Sequence, residues 1–207
     1  MNVQVVNHQG LSFVNVANPT DFEMKHLRNT YDFDHLNLDD YLFRRQIPKI
    51  EAHKQYHLLV LRFPFFSENA PKASHQYGVR IPTFYTQVEK KRLVSSYVNF
   101  FITKDTLVVI HEDEMPQVNN IFSLCQKTLN NRTIYMAKGP VFLAYKIVDA
   151  LVDDCFPVIN ELTSTIDRID KELEDKQSQK TLEDISATRR NLVVFHTMIR
   201  PIIPLFT

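Results

Sequence analysis

The chain has 207 residues, 44% hydrophobic and 23% charged, with 24 basic and 24 acidic side chains and a formal net charge of zero. That length fits one domain, or one domain with an appended helical element, and is enough to bury a sizeable core. The neutral balance gives no reason to expect nucleic acid or an anionic lipid surface as partner. The three glycines, Gly10, Gly78 and Gly139, are too scattered for a phosphate-cradling loop, and no G-x-S-x-G elbow exists. Cys125 and Cys155 lack CxxC spacing, so neither a disulfide framework nor a zinc knuckle is expected. MNVQVVNHQG lacks the basic and apolar regions of a signal peptide, and no apolar run approaches the ~18 residues of a membrane span. A cytosolic, reducing location is the expectation.

In chain order, the apolar runs Val3–Val6 and Leu11–Val16, separated by NHQG, read as a hairpin. Asn18-Pro19-Thr20 opens a helix to about Asn29, and a second short helix is expected over Asp34–Phe43. From Pro48 to Ile110 the runs HLLVLRF, RIPTFYTQVEK, LVSSYVNFFI and TLVVIH are rich in β-branched and aromatic residues and read as strands. Met115-Pro116 starts an amphipathic helix to about Leu129.

After Gly139-Pro140 no β-like run follows. Leu151, Cys155, Val158, Leu162, Ile166, Ile169 and Leu173 recur in steps of three and four, a heptad-like stripe. Beyond the polar break DKQSQK, Thr181 with Asp184 resembles a capping box, and Leu182, Ile185, Leu192, His196, Ile199 and Ile203 form a second stripe. Matched stripes with a short connection imply an antiparallel hairpin, with Pro157 and Pro201 each bending a helix. The expected fold is α/β (α+β): a mixed, largely antiparallel sheet flanked by helices over residues 1–138, then a long helical hairpin over residues 139–207.

Charge is unevenly placed. Residues 139–175 hold nine acids against three bases, and residues 44–92 hold ten bases against three acids. Solvated faces explain this, as does a field that concentrates cations near the first long helix. Asp149, Asp153 and Asp154 group hard oxygen ligands suited to Mg²⁺ or Ca²⁺, although acids on an exposed helix are commonplace. Asp39-Asp40 is a second acidic pair, which pairing with Arg44 or Arg45 also explains. His53 and His57 flank a strand break and make poor joint zinc ligands, and His111-Glu112-Asp113-Glu114 reads as a solvated loop.

Three segments together resemble the N-terminal cytosolic domain of the CorA magnesium transporter family. They are DHLNLDDYLFRRQIPKIE, FLAYKIVDALVDDCFPVINELTSTIDRIDKELED and RRNLVVFHTMIRP. Asp34-His35 stands where the family has His-Pro, and Cys155 where it has tyrosine. The resemblance implies a homopentamer at the cell membrane, with this segment cytoplasmic. Its funnel would join a stalk helix and two membrane helices beyond Thr207, with Gly-Met-Asn at the pore mouth. It implies no catalysis. It implies instead a sensor that binds Mg²⁺ between subunits and closes the channel when internal Mg²⁺ is high. Asp40 matches the acid of the main intersubunit site, and Asp39 and Asp149 match contributors to an adjoining one. Zn²⁺, Co²⁺ or Ni²⁺ are other ions such a scaffold handles. A zinc transporter of the same superfamily is the competing reading, and a soluble metal-binding or interaction module the third.

Overall fold

The computed structural model describes residues 2–42, 46–67, 92–112, 115–175 and 179–206. The expected strand RIPTFYTQVEK, together with Arg44, Arg45, Asp113 and Glu114, lies outside the described residues. Among the described residues no helix is long and apolar enough to cross a membrane.

The strands are β1 (Val3–His8), β2 (Leu11–Ala17), β3 (Lys49–Ala52), β4 (His57–Ser67), β5 (Arg92–Ile102) and β6 (Thr106–His111). They form one sheet in the order β1-β2-β6-β5-β4-β3. β1 and β2 pair antiparallel across Gln9-Gly10, whose φ values of 48° and 84° are the positive pair that a type I′ turn requires. β2 runs parallel to β6, from Ser12 opposite Thr106 to Ala17 opposite His111. β6 pairs antiparallel with β5, and β3 with β4. The sheet is therefore mixed and largely antiparallel, as expected. All six residues of β6 are buried, so TLVVIH reads as a continuous apolar run and not as an alternation.

The helices are α1 (Asp21–Tyr31), α2 (His35–Leu42), α3 (Pro116–Lys127), α4 (Leu129–Met136), α5 (Pro140–Asp153), α6 (Cys155–Asp175) and α7 (Gln179–Ile199). Thr20 caps α1 in a capping box with Glu23, and α1 ends at Asp32 in the left-handed region. The helix expected to reach Leu129 stops at Lys127. Thr128 is extended and its side chain accepts from Asn131 N at 3.2 Å, which starts α4, a helix the sequence reading missed.

The chain groups into two compact units, Met1–Arg62 with Ser96–Leu151, and Phe63–Ser95 with Val152–Thr207. In the first, Val14, Leu27, Phe33, Leu58, Val60, Phe101, Val108 and Ile110 belong to one core with at most 3% exposure each. Phe33 stacks on Phe101 at 4.5 Å between centroids and meets Tyr56 edge-on at 5.0 Å. In the second, Leu93 of β5 clusters with Val158 and Leu162 of α6 and Val194 and Met198 of α7. Late α6 meets early α7, since Arg168 donates to Asp184 at 3.1 Å, so the hairpin is antiparallel.

Four expectations for the helices need correction. The first stripe is divided, because α5 ends at Asp153 and α6 begins at Cys155. Pro157 is the third residue of α6; its ring would clash with the carbonyl of Asp153, so the helix restarts there instead of bending. Pro201 likewise ends α7 instead of bending it. The ladder's last bond is Arg200 N to His196 O at 2.9 Å, and Pro201 has no N–H to continue it. Thr181 lies inside α7 and does not cap it, and Asp184 pairs with Arg168.

The fourth correction concerns the face of α7. Leu182, Leu192 and Ile203 of the second stripe are 64%, 42% and 57% exposed, whereas Thr181, Ala187, Thr188, Asn191, Val194 and Met198 are buried. The buried face sits one residue, about 100°, from the expected one. Small side chains on that face allow close helix approach, and the larger aliphatic residues point outward.

Candidate functional site

The acidic pair Asp39-Asp40 rides on α2, and its position is set from beneath. Asp34 caps the helix by accepting from Leu36 N at 2.9 Å, and Asp34 N donates to the Tyr56 hydroxyl at 3.2 Å. Asn37, Leu38 and Tyr41 are buried, which turns Asp39 to solvent and leaves Asp40 half-buried. Asn37 is the anchor. Its Nδ2 donates to Tyr56 Oη at 3.2 Å and lies 3.2 Å from His53 Nε2, and its carbonyl accepts from Gln46 Nε2 at 3.1 Å. Asn99 on β5 donates to Gln46 Oε1 at 2.7 Å, which ties the chain on either side of α2 to the sheet. The sequence reading passed over Asn37, Gln46 and Asn99. A single asparagine inside the apolar run VNFFI was the available signal, because a buried amide demands partners.

Neither Asp39 nor Asp40 has a hydrogen bond or ion pair to its carboxylate among the described residues. The expected alternative partners Arg44 and Arg45 lie outside them. Among the described residues no cation lies within ion-pair distance of either carboxylate, and carboxylate oxygens are acceptors that suit a hard cation.

The nearby acid Glu51 differs. Lys49 Nζ sits 2.8 Å from its Oε1 and His53 Nε2 3.4 Å from its Oε2. The lysine hydrogen bond, with His53 adding to it, holds the Glu51 carboxyl below its ordinary range. His53 also stacks on Tyr56 at 4.5 Å, which accounts for it without a metal.

Asp149, on α5 in the same unit as α2, is half-exposed and pairs with Lys146 one turn earlier at 3.6 Å. Asp153 closes α5 and Asp154 occupies the break before α6, both exposed and both in the second unit. Partial burial, with the Asp153 carboxylate adding to it, pushes the Asp154 carboxyl above its ordinary value. Among the described residues of the first unit, no hydrogen bond or ion pair links Asp149 to Asp39 or Asp40. Among the described residues no three His, Cys, Asp or Glu side chains gather in a group that could hold a metal ion. The unpaired carboxylates of α2 suit a hard cation such as Mg²⁺ in kind, but their number falls short of a complete shell from this chain's described residues.

His111 is fully buried, contrary to the solvated loop expected there. Its Nε2 is 2.9 Å from Asn15 Oδ1 and its Nδ1 2.7 Å from the Glu112 carbonyl, while Asn15 donates to Asn119 at 2.9 Å. This network joins β2, β6 and α3 and is internal to the fold.

The sequence profile of the family described as CorA-like Mg2+ transporter protein matches residues 8–207. The chain is 26% identical over 168 residues to the cobalt/magnesium transport protein CorA of Thermotoga maritima, covering 81% of this chain and 41% of that protein. It is 19% identical over 186 residues to the protein of the same name from Methanocaldococcus jannaschii, covering 90% and 51%. The chain thus spans about half the length of these relatives. Among solved structures, the soluble domain of CorA from M. jannaschii superposes with a TM-score of 0.68 at 17% identity, covering 93% of this chain and 67% of that one. The cytoplasmic domain of ZntB from Vibrio parahaemolyticus superposes with a TM-score of 0.61 at 14% identity, covering 94% and 66%. At these identities the superpositions establish a shared fold.

Proposed function

Since the chain belongs to the CorA-like Mg2+ transporter family, we propose that it forms the cytoplasmic, ion-sensing part of a divalent-cation channel. The observation that carries this reading is the Asp39-Asp40 pair, exposed at Asp39 and half-buried at Asp40, on a helix anchored by Asn37 and without a partner to either carboxylate among the described residues. In the proposed assembly, a homopentamer at the cell membrane, Asp40 of each copy faces a neighbouring subunit, and Asp39 and Asp149 contribute to an adjoining site. Asp153 and Asp154 are the weaker candidates, lying at the α5–α6 break.

Empty, such a shared carboxylate site is self-repelling and favours separation of the subunits. Mg²⁺, keeping part of its water shell, bridges the carboxylates and favours the closed arrangement. Moving a closed–open equilibrium from one extreme to the other takes about 10⁴-fold differential affinity, roughly sixfold per site when five equivalent sites share it. Weak, hydrated sites therefore suffice. The transported ion is Mg²⁺ in this reading, with Co²⁺ named for the curated relatives.

Isothermal titration of Mg²⁺ into the full-length protein is the test. Asp40→Ala is expected to weaken binding about tenfold or more, and unchanged binding removes Asp40 from the site. Flux into vesicles fixes the ion: Zn²⁺ uptake without Mg²⁺ uptake would assign the scaffold to zinc transport instead.

A further inference from the structure

His53 lies between two groups that make opposite demands on one nitrogen. Its Nε2 is 3.2 Å from Asn37 Nδ2 on α2 and 3.4 Å from Glu51 Oε2 on β3. The Asn37 amide has two hydrogens, and the Tyr56 hydroxyl takes one at 3.2 Å, so the other reaches His53 only if Nε2 is bare. A bare Nε2 has no hydrogen for the Glu51 carboxylate. A protonated Nε2 reverses this: it donates to Glu51 in a charge-assisted bond and keeps no lone pair for Asn37. Lys49, 2.8 Å from the other Glu51 oxygen, holds that carboxyl below its ordinary range, so Glu51 stays an acceptor while imidazole titrates. The remaining titratable groups around the ring, among the described residues, are Tyr56, which stacks on it, and Lys54, His57 and Asp34, all exposed.

Asn37 is 6% exposed and stands two residues before Asp39. Its amide answers the loss of Nε2 only by turning over. That brings its carbonyl oxygen to His53 and obliges the Tyr56 hydroxyl to donate where it had accepted. The same hydroxyl takes Asp34 N at 3.2 Å at the start of α2, so the helix is held through the contacts that change. We propose that His53 is a positioning residue for the Asp39-Asp40 site: neutral, it holds Asn37 and with it α2; protonated, it turns to Glu51 and releases that anchor. Protons and divalent cations then compete without sharing a ligand. The proposal rests on the ion-sensing reading of the acidic pair. A cation that prefers the anchored helix binds more weakly as the pH falls through the imidazole range, and its binding expels a proton from His53. Direct protonation of carboxylates belongs roughly two units lower.

Calorimetric titration of Mg²⁺ into the full-length protein at about pH 8 and about pH 6, in two buffers of different ionisation enthalpy, tests this. The expected result is an affinity roughly fivefold or more lower at the acid end, with protons released on binding. His53→Gln accepts from Asn37 through its carbonyl and does not titrate, so its two affinities should agree. Glu51→Gln, on an edge strand with its side chain 38% exposed, removes the charge that favours the protonated ring and should move the pH dependence to lower pH. Equal wild-type affinities at the two pH values overturn the proposal, as does a pH dependence that survives His53→Gln undiminished. Should His53→Gln fail to fold, an unmoved pH dependence in Glu51→Gln overturns it as well. Absence of Mg²⁺ binding at both pH values instead removes the ion-sensing reading, and this proposal with it.

Discussion

In the sheet-based unit the deepest side chains are large and apolar, with Phe13, Phe100, Phe101, Leu58 and Leu107 fully buried. On α7 in the hairpin unit the deepest are Thr181, Asn191 and Thr188. Their polar atoms fare differently as well. Asn15, Asn37 and Gln46 have partners inside the first unit, whereas Asn99 Oδ1 there and Thr188 Oγ1 and Asn191 Oδ1 on α7 have no hydrogen-bond partner among the described residues. A core built on apolar contacts and satisfied amides is stable by itself. A hairpin that buries hydroxyls and amides while exposing Leu182, Val193 and Leu192 has fewer apolar contacts to hold it and is expected to open more readily.

The largest effect should come from the first unit. Phe101→Ala removes the ring stacked on Phe33 and is expected to cost about 3–5 kcal/mol, read as a lower urea midpoint. A loss below about 1 kcal/mol would remove the contrast between the two cores. Next, one substitution made twice should give opposite signs. Asn99→Leu strips Gln46 of its donor and costs about 1–3 kcal/mol, while Asn191→Leu, replacing a carbonyl with no partner, is neutral or stabilises by about 1 kcal/mol. Equal destabilisation at both sites would break the comparison.

The two thiols report on it without altering the core. Burial pushes both Cys125 in the first unit and Cys155 in the second up to about 11, with Asp154 adding to the shift at Cys155. At neutral pH both should resist alkylation until the chain opens, and Cys155 should label first. Labelling of Cys125 ahead of Cys155 would reverse the ranking of the units.

The smallest effect is confined to acid. Hydrogen bonds from Thr20 and Asn2 lower Glu23 from 4.5 to about 2. Between those values the unfolded chain binds the extra proton, so the stability Glu23 contributes is complete above about 4.5 and is lost as the pH falls toward 2. Glu23→Gln should flatten that part of the stability–pH profile.

Legibility in the sequence followed the kind of core. Strands such as TLVVIH announced themselves because they are buried on both faces, and α1 because Asn18-Pro19-Thr20 marks its start; the capping box of Thr20 with Glu23 was recognised only in the structure. The register of α7 was not legible, since two stripes one residue apart compete and only tertiary packing selects the one with small residues. The start of α4 was hidden because Thr128 interrupts a pattern whose period continues past it. Of the candidate site, the acids Asp39 and Asp40 were picked out from their adjacency and the family resemblance. The lone asparagine in VNFFI hinted at a buried amide, but its partner Gln46, and the Tyr56 partner of Asn37, are distant in sequence and could not be read from it.

The parallel contact between β2 and β6 has a consequence for how the chain comes into being. β2 leaves the ribosome with only β1 beside it, and its second neighbour follows roughly ninety residues later. At about 5–20 residues per second, that interval is on the order of 5–20 s, during which the apolar edge of β2 is unpaired. Closing so long a loop is slow in proportion to the separation of its ends. The pairing of β2 with β6, near the centre of the finished sheet, is thus expected to be among the last parts of it to form.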